Sequence, residues 1–325
     1  MTSPSSSISN FEARRFFLTL GAAIGLFLGV AVAISYYLGF KQGMANYGFQ
    51  VLLDYQKNKI RQAQRVDIVF LGDSSLGNAI DAAHFTRLSG RDTLNLALTG
   101  SFGYAGSLNL LRQVLARHEP KVVVLLHTVD MMSRKLSYLG YFQTTDFFFN
   151  PFRFPPEEVT RFFLNSQTIT KVIQRLWERA TAKEGVASGE DYLYNDYIVQ
   201  KGGTDAASFF RKHADHPLTP AQINPEKILF LQEIPRLCRE AGIACIYVHG
   251  PTTRVRCDNS ADFLQAATAM IRQLGLTVLE EPACMPMQDL GDSDDHVSPS
   301  KKQAYTEYYY GRLRAFLMAN GGVSP

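Results

Sequence analysis

Residues 66–75 read Val66-Asp67-Ile68-Val69-Phe70-Leu71-Gly72-Asp73-Ser74-Ser75. The first seven are mostly apolar, rich in branched side chains and closed by glycine. A strand covered on both faces carries such a run without alternation, whereas a strand with one wet face alternates. Comparable runs lie at 93–98, 121–127, 244–249 and 277–279. Helical patterns at 107–117, 226–241, 261–274 and 301–318 stand between or after them. Buried strands alternating with helices predict a parallel sheet in a doubly wound α/β domain. Pro235 should kink or split the helical pattern that contains it. The alternation breaks once, across an insertion at about 133–224 that carries Tyr141-Phe142 and Phe147-Phe148-Phe149. These aromatics suit either a satellite core or a lid or partner-facing surface.

At 325 residues, 46% hydrophobic and 19% charged, the chain has enough apolar material for a packed core, which excludes wholesale disorder. Its 33 basic and 30 acidic residues nearly cancel and form no like-charge block, so nucleic acid is not an expected partner. Residues 16–40 contain no charged side chain, and Arg14 and Arg15 precede them against Lys41 after. About 20 helical residues cross a hydrocarbon core. The run therefore predicts a transmembrane anchor after a cytoplasmic tail (1–15), then a helical stalk (41–65) and an exported domain (66–325). A cleaved signal ending near Ala31-Val32-Ala33 and a buried core helix are the alternatives.

Disulfides persist outside the cytoplasm. Of the four cysteines, Cys238 falls in a helical pattern and Cys245 in a strand. Cys257 and Cys284 fall in loops after the fourth and fifth strands. Neighbouring parallel strands bring such loops together, which predicts a Cys257–Cys284 bridge. No cysteine or histidine spacing suits a metal, and no cofactor is expected.

Gly72-Asp73-Ser74 stands where the first strand should end, and open α/β sheets place their sites at the carboxyl ends of strands. Near the other end, Gly291-Asp292-Ser293-Asp294-Asp295-His296 precedes Ser298-Pro299, a good start for the last helix. Histidine is the natural base for a serine hydroxyl, and a carboxylate beside it fixes its tautomer. Asp294 is the favoured orienting residue and Asp292 the second, with Asp295 expected to point elsewhere. His127 and His249 end apolar strands and face the crevice; each is either a hydrogen-bonded strand-end histidine or, with Asp73, a substrate contact.

A first strand closed by Gly-Asp-Ser and a last loop with Asp and His before the final helix resemble the SGNH (GDSL) hydrolase superfamily. The resemblance spans roughly 66–317 without the insertion and implies a flavodoxin-like sheet. It makes Ser74 the nucleophile and His296 the base. It also makes the N–H groups of Ser74 and Gly100, in Asn95-Leu96-Ala97-Leu98-Thr99-Gly100, oxyanion donors. The family's third block supplies an Asn after the third strand. Here Leu126-His127-Thr128-Val129-Asp130 has none, so Thr128 or His127 would substitute, or the hole has two donors. The family's Asp-x-x-His spacing is not met either, since Ser293 stands three before His296.

With the anchor, and with Leu76-Gly77-Asn78-Ala79-Ile80-Asp81 following the serines, the chain is similar to the SGNH-like proteins of bacterial envelope polysaccharide O-acetylation. That likeness implies a serine acyltransferase or acylesterase at the bacterial inner membrane, with its domain on the periplasmic side. Its substrates would be an exported polysaccharide and an acyl donor, and its partner a multi-pass membrane acyltransferase. A non-catalytic scaffold docking that acyltransferase and a secreted lipase or thioesterase are the competing readings.

Overall fold

A computed structural model describes residues 10–33, 47–135, 144, 193–194, 197–198 and 217–320. The chain divides into two compact units, one of residues 1–50 and 150–186, the other of 51–149 and 187–325. Most of the insertion, including its aromatic clusters, lies outside the described residues, as do 34–46 at the end of the apolar run.

The first unit holds α1 (Asn10–Ala33). Within it, Glu12–Ala31 is long and apolar enough to cross a membrane, and Phe16, Phe17, Leu26 and Phe27 are each more than 60% exposed. A core helix would bury such side chains.

In the second unit the elements run as follows. After α2 (Tyr47–Gln62), which belongs to this unit from residue 51, come β1 (Ile68–Gly72), α3 (Ser74–Ala79), α4 (Ala82–Ser89) and β2 (Thr93–Ala97). Then follow α5 (Gly103–Leu115), β3 (Val122–His127), α6 (Glu233–Glu240) and β4 (Ala244–His249). The last are α7 (Arg254–Asn259), α8 (Ala261–Gln273), β5 (Thr277–Leu279) and α9 (Lys302–Asn320). The five strands form one parallel sheet in the order β2-β1-β3-β4-β5. Right-handed crossovers on this order put helices on both faces, with α9 against α3 and α4, and α5 against α6. Two-sided cover is why β1 and β3 are buried at every residue. Across one face, Phe85 of α4 stacks edge-on with Phe70 of β1 at 4.9 Å and with Tyr310 of α9 at 5.6 Å.

The stretch read as a helical stalk contains the helix α2, and its residues from 51 on belong to this unit. From residue 51 onward α2 buries Leu52, Leu53 and Ile60. Its Gln56 Nε2 donates to the Ala97 carbonyl at 2.6 Å, and Lys59 Nζ donates to that of Asn95. Both carbonyls belong to the edge strand β2, so α2 closes an edge that would otherwise offer itself for pairing. The pattern around Pro235 splits: a turn of helix at Ile228–Leu231 ends and α6 begins at Glu233. Proline has no N–H for the carbonyl four residues back, that of Leu231.

Two glycines let the strand ends converge. A Cβ on Gly72 would lie 1.8 Å from the Leu126 carbonyl oxygen, and one on Gly250 would lie 2.7 Å from Ser75 Oγ. β1, β3 and β4 therefore approach each other where a side chain would hold them apart.

Cys257 of α7 is bonded to Cys284, their Cα atoms 6.0 Å apart and 27 residues apart in sequence. Cys284–Met285 pairs in parallel with Thr252–Thr253, so the bridge sits beside a short ladder. Cys238 and Cys245 remain thiols. Closing a loop of this length restricts the unfolded chain by roughly 3–4 kcal/mol in the chain-entropy account. The Cys257→Ser/Cys284→Ser double variant should lose about that much in urea unfolding. An unchanged midpoint would show that the bridge constrains nothing.

Candidate active site

The chain order puts the switch between β1 and β3, the place where open α/β sheets form their crevice beyond the carboxyl ends of the strands. Asp73 stands at its floor, 1% exposed. As N-cap of α3 its Oδ1 accepts from the Ser75 N–H at 3.1 Å and from the Ser75 hydroxyl at 2.5 Å. Its Oδ2 accepts from the Thr128 N–H at 3.0 Å, with His127 Nδ1 at 3.6 Å. Burial pushes this carboxyl up. The opposing effects of His127, Arg134 and Ser75 are together larger and hold it down at about 2.

These commitments distinguish the two serines. The Ser75 hydroxyl is buried and taken by Asp73. Ser74, the first residue of α3, is half-buried, and no hydrogen bond among the described residues engages its hydroxyl. The Asp73 carboxylate serves Ser75, and the Asp73 carbonyl accepts from Leu76 and Gly77. The Ser74 N–H is thereby left over at the helix start.

His296 lies on a loop folded back on itself. Leu290 and Val297 form an antiparallel bridge, Gly291 N–H donates to the His296 carbonyl at 2.7 Å, and Ser298 N–H donates to that of Asp289 at 2.8 Å. This reversal sets Asp292 opposite His296, and Nδ1 meets Asp292 Oδ1 at 2.7 Å. Asp294, favoured from sequence as the orienting residue, points away and accepts from Arg256 Nη1 at 2.5 Å. Asp292, the second choice, holds the ring. Asp295, expected to point elsewhere, faces the other nitrogen, with Nε2 3.6 Å from its Oδ1. Burial alone would lower the His296 pKa. Asp295, Asp292 and Asp73 outweigh that effect and raise it above 6.5. That Asp73 acts on His296 brings the loops at the two ends of the domain into one electrostatic neighbourhood.

The oxyanion candidates are arranged unevenly. The Thr128 N–H is spent on Asp73, and its hydroxyl is buried without a partner among the described residues. His127, the other substitute, turns its Nε2 to Ser107 Oγ at 3.0 Å. Gly100 is half-buried, and a Cβ there would lie 2.1 Å from Arg134 Nη1. Asp130 grips the other side of that guanidinium at 3.0 Å from Nε and 2.9 Å from Nη2. Arg134 thus occupies the ground where the third-strand loop was expected to supply a donor. Sequence reading missed it, because a lone arginine past a strand reads as solvated.

Of the expected substrate contacts, none is open. Asp73 is committed as described, and His127 is fully buried. His249 is 1% exposed and hydrogen-bonds Thr268 Oγ1 through Nε2 at 2.8 Å, with burial holding its pKa down at about 4. Both are buried strand-end histidines whose Nε2 is bonded within the chain, while Nδ1 of each has no hydrogen-bond partner among the described residues. Among the described residues no group of three His, Cys, Asp or Glu side chains is arranged to hold a metal. No protein-family model matches the chain, and no curated protein does.

Two measurements check this geometry. Asp73→Ala strips acceptors from the Ser75 hydroxyl and the Thr128 N–H. At about 1–3 kcal/mol per orphaned buried group, it should cost roughly 3 kcal/mol or more in urea unfolding. The depressed Asp73 pKa adds stability above the ordinary carboxylate range that is lost as pH falls toward 2. For His296, an NMR titration should find the imidazole charging above pH 6.5, and Asp295→Asn should move that midpoint down. A midpoint unmoved by Asp295→Asn would remove Asp295 from its surroundings.

Proposed function

We propose that the chain is a membrane-anchored serine acyltransferase or acylesterase of SGNH type acting on an exported polysaccharide. The observation that carries the reading is the Asp292–His296 pair at 2.7 Å, on the loop before α9, in one electrostatic neighbourhood with the loop that bears an unengaged Ser74 hydroxyl. In this mechanism His296 Nε2 accepts the Ser74 proton as Oγ bonds to an acyl carbonyl carbon. The oxyanion meets the N–H groups of Ser74 and Gly100, with the Arg134 guanidinium beside them. Collapse breaks the donor's ester bond, and His296 returns the proton to the leaving oxygen. A sugar hydroxyl, or water, then takes the acyl group from Ser74 by the same steps reversed. Asp130 raises the Arg134 pKa further, so its charge is permanent.

The raised His296 pKa sets the pH dependence. Only the neutral ring accepts a proton, so turnover should fall as pH drops through that value. α1 would hold the domain at the membrane, with Arg14 and Arg15 keeping the N-terminus cytoplasmic. The Cys257–Cys284 bridge suits an oxidising compartment on the far side. There a multi-pass acyltransferase would supply acyl groups.

One observation favours a non-catalytic scaffold: no hydrogen bond joins Ser74 to His296, and Nε2 has Asp295 near it. A fluorophosphonate probe separates the readings. Catalysis requires labelling of the full chain that disappears in Ser74→Ala; a folded wild type that takes no label sinks it in favour of the scaffold. With a nitrophenyl acetate assay, Asp292→Asn should lower turnover by about 10⁴, as loss of the orienting carboxylate does in serine proteases. Asp294→Asn should cost far less, and the reverse order would reassign the ring's partner. For topology, alkaline phosphatase fused after Pro325 should be active; activity from a cytoplasmic reporter there instead would reverse the orientation.

A further inference from the structure

Lys227 is 2% exposed, yet among the described residues its ammonium makes no hydrogen bond and no ion pair. A buried ammonium ordinarily reaches a carboxylate or several carbonyls, since leaving water uncompensated is costly. The acids nearby are already engaged. Asp130 gives Oδ1 to Arg134 and turns Oδ2 to Arg256 Nη2 at 3.7 Å. Asp294 is held by Arg256, and Asp295 by the Ser293 hydroxyl at 2.5 Å. Among the described residues Lys227 is the cation of this cluster that no acid pairs.

Its ammonium points at a second feature. A Cβ on Gly103 would lie 3.7 Å from Lys227 Nζ, and Gly103 is the first residue of α5. No side chain caps this 13-residue helix, so its leading N–H groups and the positive end of its dipole face the same place. Arg134 flanks it from Gly100. Two cations and a helix N-terminus converge, and one of the cations lacks a counter-ion.

We propose that Lys227, the N-terminus of α5 and Arg134 form a subsite for an anionic oxygen group, a carboxylate or a phosphate, carried by the molecule that is acylated or deacylated. The link to acyl transfer rests on the Ser74 reading; the binding of an anion does not. Both ligand groups present two or three charged oxygens, which a lysine, an arginine and backbone N–H groups can share. Burial and then Arg134 lower the Lys227 pKa to about 8, against the opposing pull of Asp130. An acidic sugar would bring the carboxylate, and a phosphorylated polymer or lipid the phosphate.

The test uses the full chain in detergent micelles, titrated separately with inorganic phosphate and with glucuronate at constant ionic strength, and read by calorimetry. At least one should saturate the wild type and Ser74→Ala equally. Lys227→Met should weaken that binding at least tenfold, and Lys227→Arg should retain most of it. Phosphate alone would assign a phosphorylated source, glucuronate alone an acidic sugar. If Lys227→Met does not fold, the wild type decides. Affinity should fall between about pH 7 and pH 10 as the lysine loses its proton, because neither probe loses charge over that range. No saturable binding of either probe, equal binding by folded Lys227→Met, or a flat pH profile would overturn the subsite. Anion binding by a chain that takes no fluorophosphonate label would keep the subsite and remove the acyl-transfer reading alone.

Discussion

The Asp73 carboxylate is the constraint from which the site is built. Its two oxygens tie the first turn of α3, just past β1, to the residue after β3, 55 positions along the chain from Asp73. A buried charge is tolerable only when hydrogen bonds replace its hydration. Here two N–H groups and a hydroxyl do so, with His127 behind them. Engaging Ser75 leaves Ser74 as the serine whose hydroxyl stays unclaimed, and engaging Thr128 removes a donor from the crevice. One capping residue thus decides both which serine is open and which oxyanion donors are not.

From that floor, charges of alternating sign line the crevice. Asp130 grips Arg134, Arg134 lies 3.9 Å from Asp295, Asp295 faces His296, and His296 binds Asp292. A branch runs from Asp130 through Arg256 to Asp294. Partly buried pairs feel one another more strongly than exposed pairs do. The His296 pKa therefore depends on Asp295 and Asp292 of its own loop and on Asp73, the residue after β1. Changing Arg134 would touch both the ground beside Gly100 and the carboxylate that faces Nε2.

The sheet was legible because burial on both faces leaves a local mark, a run of apolar residues with no alternation, and each of the five runs became a strand. The helix α2 is legible in the sequence, but its packing is not, because that rests on Gln56 and Lys59 reaching backbone carbonyls that a linear reading does not see. The choice between Asp292 and Asp294 failed for a related reason. Spacing along a loop says little about direction once the chain doubles back, and the bridge between Leu290 and Val297 decides which carboxylate turns inward. Arg134 and Lys227 carry no motif. Arg134 acquires meaning from Gly100, whose missing side chain makes room for it, and Lys227 from lying beside Gly103 at the start of α5.

The Cys257–Cys284 bridge joins these two levels. Arg256, which holds Asp294, is the residue before Cys257, and the chain leaving Cys284 leads within a few residues to the loop that carries Asp292 and His296. The covalent link fixes both ends of the segment between α7 and β5, and the Arg256–Asp294 pair fixes the loop beyond it to the same helix. With Asp294 tethered there, the doubled-back loop has one carboxylate left to turn toward Nδ1. The orienting role falls to Asp292 because its neighbour is spent on position, which is also why the Asp-x-x-His spacing is not needed here: the bridge and the ion pair set the geometry that the spacing would otherwise supply.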